Sequence, residues 1–159
     1  MTTVMPFDTI LSALKDKAST TAMFADVLLH EPKSAPISDS RSRQAVLAIW
    51  VGKFGAFQKQ SGLASTALQM TVMARVYRTA MADPEDEIDR DILNCTSAIM
   101  EAITGGFTLG SLVMAVDLDG STGTPMTATL GYLTQDSMIF RVADITIPII
   151  LTQEWSQVP

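Results

Sequence analysis

A chain of 159 residues can bury roughly two-thirds of its unfolded surface around one core, and 47% hydrophobic residues with no charged low-complexity tract describe a folded globular domain. Eleven basic against seventeen acidic residues give a formal charge of −6, which opposes wrapping a phosphate backbone. The longest apolar runs, 45–51 and 147–151, fall far below the roughly 20 residues needed to cross a bilayer, so neither nucleic acid nor a membrane is an expected partner. The first residues lack a basic lead-in, and Asp8, Lys15, Asp16 and Lys17 interrupt any signal-peptide core, so export is not expected.

Residues 7 to about 24 predict a first helix, with Leu11, Leu14 and Ala18 along one face and Asp8, Ser12, Lys15 and Ser19 around the other. Residues 31–43 change character, with Pro32 and Pro36 as breaks and Lys33, Asp39, Arg41 and Arg43 among serines, and predict the longest loop. The apolar run 45–51, followed by Gly52 and Gly55, predicts a central strand that bends or bulges at its glycines. Both of its parities are apolar, Leu47, Ile49 and Val51 on one face and Val46, Ala48 and Trp50 on the other. A two-helix layer covers only one of those faces. The other needs a loop, the N-terminal segment or another subunit, and the pattern leaves these open.

Residues 58–65 return the chain to a strand over 68–77, where Leu68, Met70, Val72, Ala74 and Val76 alternate with Gln69, Thr71, Met73, Arg75 and Tyr77. Asp83 then reads as a capping carboxylate and Pro84 as a first helical position, with Glu85, Asp86 and Glu87 at the positive end of the helix dipole. Ile88, Ile92, Cys95, Ile99 and Ile103 recur at helical spacing until Gly105 and Gly106 stop the helix. Residues 111–118 predict a short strand, 119–125 a turn, 127–133 another strand, and 135–137 a tight connection into a long strand from 138 to about 151. Pro148 predicts an exposed edge or a strand end. The whole of 1–159 therefore reads as a single α+β domain: a mostly antiparallel sheet of about five strands packed by two helices on one face.

Candidate chemistry is sparse. His30 is the only histidine and reads as a loop residue. Glu87 and Asp91 share a helix face, yet their cluster reads as a solvated first turn. Asp117, Asp119 and Gly120 begin like a calcium loop, but the glycine comes too early and Ala128 stands where the terminal Glu belongs. Cys95, the only cysteine, lies on the apolar stripe, excludes an intrachain disulfide and reads as a small core residue in a cytoplasmic fold. The ten methionines read mainly as core filler, with adaptable association surfaces as the other reading. No phosphate-loop, dinucleotide or nucleophile-elbow motif is present, so neither an enzyme nor a cofactor or metal site is expected. Lys33, Arg41 and Arg43 make the long loop a candidate interaction segment, with a plain solvated loop as the alternative.

Several segments, taken in order, carry a resemblance. They are residues 7–14, His30-Glu31-Pro32-Lys33-Ser34-Ala35-Pro36, Val76-Tyr77-Arg78, Asp83-Pro84-Glu85-Asp86-Glu87-Ile88-Asp89, Phe107-Thr108-Leu109-Gly110, Val116-Asp117-Leu118, Gly131-Tyr132-Leu133 and 140–148. Over nearly its whole length the chain resembles tail terminator proteins of long, non-contractile-tailed phages, closest to those of actinobacterial phages. The resemblance implies a non-catalytic virion protein, at the head-proximal end of the tail, that forms a homo-oligomeric ring, usually a hexamer. Such a ring sits on the tail tube protein, ends tube polymerisation and presents a surface to a head-completion or neck protein. The alternatives are another neck or tube ring of the same particle, or a small cellular ligand-binding domain.

Overall fold

The computed structural model describes residues 4–57, 62 and 64–157. Residues 58–61 and 63 of the expected return segment lie outside them. Helix α1 (Phe7–Thr20) precedes strands β1 (Phe24–Leu28), β2 (Ala45–Ala56) and β3 (Ser65–Thr79). Helix α2 (Ile88–Thr104) and strands β4 (Ala115–Val116), β5 (Thr127–Gln135) and β6 (Met138–Ser156) follow. All six strands form one sheet in the order β1-β2-β3-β6-β4, with β5 also on β6. Among the described residues only β1 and β2 run parallel. The expected α+β class and mostly antiparallel sheet hold, with six strands among the described residues.

Both helices pack on one sheet face, α1 on β1 and β2, α2 on β3 and β6. The alternation along β3 sends Leu68, Met70, Val72, Ala74 and Val76 into this core, where Ile88, Ile92, Cys95, Ile99 and Ile103 of α2 are also buried, as their spacing predicts. The first helix is shorter than expected. Thr21 hydroxyl donates to the Ala18 carbonyl and Ala22 takes a positive φ, which stops α1 and frees Phe24 to open β1. The second helix also starts differently. Pro84 is extended rather than helical, and the chain enters α2 through a 3-10 turn at Glu85–Glu87 with no capping side chain. The acidic residues still cluster at its positive end.

The strand expected over 111–118 shrinks to β4, because Leu109, Gly110 and Ser111 all take positive φ and curl the chain so that Leu109 and Val113 reach the core. Asp136 and Ser137, both at positive φ, make the two-residue turn between β5 and β6, the mirror-image geometry that matches strand twist. Pro148 neither ends β6 nor lies on an outer strand. It pairs with Thr71 of β3 at the point where the other neighbour of β6 changes from β5, ending at Thr146, to β4, starting at Ile149. The Pro148 carbonyl accepts from the Asp117 N–H, so the side lacking a donor faces that gap.

The second face of β2 is covered by the long loop. Ile37 packs with Val46, Ala48, Tyr77, Phe140 and Val142, and Ala35 and Trp50 border them. Of the covers left open by the sequence, the chain's own loop serves at this end. Gly52 is the bulged residue between Val51 and Lys53, and a Cβ there would come 2.6 Å from Met73 Cγ. Ile37→Ala is expected to cost about 2 kcal/mol and to make residues 31–43 the first site of limited proteolysis, since little else apolar in the loop is buried. Unchanged cleavage kinetics would show that the polar contacts of the loop with Thr79, Arg78, Gln135 and Asp136 hold it by themselves.

Candidate functional site

The loop 31–43 is held at both ends by polar contacts from the sheet. Gln135 donates to the Pro32 carbonyl (2.9 Å) and the Asp136 carboxylate accepts from Ala35 N–H (2.6 Å). Thr79 donates to the Ser40 carbonyl (2.6 Å), and Arg78, 1% exposed, donates to the Ser42 carbonyl and to Asp91, each at 2.8 Å. Among the three basic candidates, Lys33 and Arg41 are exposed, whereas Arg43 pairs with Glu87 at the acidic start of α2, and Arg90 reaches the same carboxylate at 3.2 Å. The basic loop and acidic helix start therefore form one mixed-charge surface at this end of the sheet.

Beside it a cleft of about 570 Å³ opens between the start of β1, the loop and α2, lined by Met23, Arg43, Gln44, Arg78, Asn94 and Cys95. Burial, reinforced by Asp91, pushes the Cys95 thiol up, which keeps it protonated and unreactive near neutral pH. Cys95 is buried, as its place on the stripe predicts, and His30 is an exposed loop residue. The methionines divide: Met70 and Met126 are core, Met100 and Met138 pack against it, and Met81 and Met114 are exposed.

Asp117 organises the 117–125 turn. Its carboxylate accepts from the N–H groups of Gly120 (3.0 Å), Ser121 (3.0 Å) and Thr122 (2.8 Å) and from the hydroxyls of Ser121 and Thr122. Burial alone would raise its pKa, but the donors of Thr122 and Ser121 outweigh that and hold it below the usual carboxylate range. A lowered native pKa means stability that is present above the unfolded value near 4 and is lost as pH falls through the native value. Asp117→Asn is accordingly expected to cost about 2 kcal/mol at pH 7. Urea titrations should show the gap to wild type closing below about pH 4; a gap that persists undiminished would contradict the assignment.

Two further features arise only from the fold. On the loop-covered face, Arg75 pairs with Asp144 through Nε (2.5 Å) and Nη2 (3.2 Å) and lies 5.5 Å from the centre of the Trp50 ring. This hydrogen bonding to Asp144 raises the Arg75 pKa further and fixes its charge. At the far end of β2 and β6 an edge-to-face ladder runs from Phe7 to Phe54 (5.0 Å) to Trp155 (5.5 Å). Phe54 is 36% and Trp155 42% exposed, so an apolar surface remains open to solvent there. Near it, on the opposite face, Lys53, Gln69, Thr71, Thr122 and Thr124 line a polar depression of about 430 Å³.

No protein-family model and no curated protein sequence matches the chain. Among solved structures it is similar to the sheath/tube terminator of an extracellular contractile injection system, PVC, in its extended state. The whole of this chain aligns, with a TM-score of 0.45 and 10% identity. The chain spans 61% of the length of that protein. No helix among the described residues is long and apolar enough to cross a membrane.

Proposed function

We propose that residues 1–159 act as one tail-terminator-like domain, a structural subunit whose ring caps a phage tail tube, ends its polymerisation and receives the head-completion or neck protein. The ordered resemblance along the chain motivates this reading, and the observation that supports it is the unlike chemistry of the two ends. The loop end carries mixed charge around Lys33, Arg41 and the Arg43–Glu87 pair, while the far end carries the exposed aromatics Phe54 and Trp155. A cap placed between two different partners needs two different surfaces, and a closed head-to-tail ring avoids an open filament. In this reading Lys33, Arg41 and Arg43 belong to the loop-end docking surface, and the side chains with chemical potential serve the fold: Asp117 holds its turn and Arg78 holds the loop.

Native mass spectrometry and negative-stain images of the purified protein, with isolated tubes added, are expected to show rings and tubes capped at one end. Particles assembled without the protein are expected to carry overlong, headless tails. Normal tail length and head attachment in its absence would overturn the reading. Binding at the opposite tail end, or along the tube, would transfer the protein to another ring of the same particle.

A further inference from the structure

Two strand edges on this molecule are treated in opposite ways. β1 has five residues, a register shift between Phe24 and Asp26, and an Asp26 carboxylate that takes the Val27 N–H at 2.8 Å. Short length, bulging and a charged side chain on the edge are means by which an edge is kept from pairing. β5 has none of them: nine residues in regular register on β6, with no charge and no proline. Because the residues flanking a two-residue hairpin turn bond to each other, the alternate residues Ala128, Leu130, Tyr132 and Thr134 point their backbone groups outward. Beside them, Leu93, Met100, Met126 and Leu130 line an apolar groove of about 670 Å³ between α2 and β5.

We propose that this edge receives the outer edge of β2 from a second copy of the chain, an inference that rests on the ring reading and specifies its subunit contact. β1 covers β2 only at residues 45–48, which leaves 49–56 with no backbone partner on that side among the described residues. The order β2-β3-β6-β5 alternates in direction at every step, so β5 of one copy meets β2 of the next antiparallel, with both helix layers on the same side. The side chains agree as well. On the helix face Tyr132 and Leu130 meet Val51 and Phe54; on the other, Gly131 and Thr129 meet Lys53 and Gly55, and no like charges oppose. Repetition of this contact is heterologous, the kind that generates a ring when its rotation closes.

Thr134→Pro removes an outward N–H while sparing the ladder to β6, so its thermal transition should remain near that of wild type. Its ring assembly, followed by native mass spectrometry, is expected to need at least tenfold more protein. In a Cys95→Ala background, a short bis-maleimide should link chains carrying both Thr129→Cys and Gly55→Cys into ladders, and leave chains carrying Thr129→Cys alone unlinked. Rings formed by folded Thr134→Pro at wild-type concentration would overturn this contact and leave the ring reading standing. Dimers of the Thr129→Cys single variant would also overturn it, in favour of β5 pairing with itself. A wild-type chain that stays monomeric in the presence of tubes would overturn the ring reading and this contact together.

Discussion

Ile92→Asp is expected to give a chain with no cooperative thermal transition. Ile92 is fully buried on α2 among Ile88, Cys95 and Ile99, facing the sheet. The substitution removes a large apolar side chain and leaves a carboxylate without a partner of its own, because the buried Arg78 guanidinium is already engaged by Asp91 and the Ser42 carbonyl. The lost burial and the unpaired charge together cost about 5 kcal/mol or more, comparable with the whole stability of a domain of this size, about 5–15 kcal/mol. Two comparisons separate this mechanism from a general intolerance of α2. Ile92→Val should cost only about 1 kcal/mol. Leu93→Asp, at a position 50% exposed, should leave the monomer's transition nearly unchanged. Circular dichroism melting of the three variants checks the set, and a folded Ile92→Asp would mean that the stripe does not face the core.

Arg78→Ala is expected to be the most damaging polar substitution. The guanidinium is a fork joining three segments: β3, which carries it, the loop through the Ser42 carbonyl, and α2 through Asp91. Removing one partner of a fully buried ion pair costs roughly 3–5 kcal/mol. Asp91 keeps 34% of its side chain in contact with solvent and can hydrate once released, which lowers that figure. The Ser42 carbonyl loses its donor as well, so the expected total is about 3 kcal/mol. For a chain of this length that corresponds to a melting point lower by about 6–12 °C. Arg78→Lys should recover only part of it, since a single ammonium cannot reproduce the fork. A melting point within 2 °C of wild type for Arg78→Ala would show that neither contact stabilises the fold.

The parts of this fold that could be read from the sequence are those whose signal is local and periodic. β3 and α2 announce themselves because each has one buried face, and burial writes its period into the chain. The loop is equally legible, from its prolines and serines. β1 escaped because Phe24-Ala25-Asp26-Val27-Leu28 is too short to show a period and follows directly on a helical pattern. Arg78 escaped because the alternating pattern ends at Tyr77, one residue before the charge that shares the Val76 face. Asp83 and Pro84 have the composition of a helix start, but the extended backbone at Pro84 and the 3-10 turn that follows put the start of α2 at Ile88.

The candidate surfaces were less legible still. The Phe7, Phe54 and Trp155 ladder unites positions far apart in sequence, and the Arg75–Asp144 pair depends on the register of β3 against β6. No window along the chain contains either. The basic candidates Lys33, Arg41 and Arg43 were visible as residues, while the pairing of Arg43 with Glu87 follows only from where the loop is tied down.

Pro148 has a consequence for how this sheet can vary. An ordinary residue there would present a donor to the gap between β5 and β4 and would need something to receive it, which would restrict the geometry of the connecting turn. With no donor at that position, β6 behaves as a spine with a seam beside it. The 117–125 turn, tied to β6 at its start through the Asp117 N–H on the Pro148 carbonyl and held together by the donors around the Asp117 carboxylate, crosses that seam before β5 begins at Thr127.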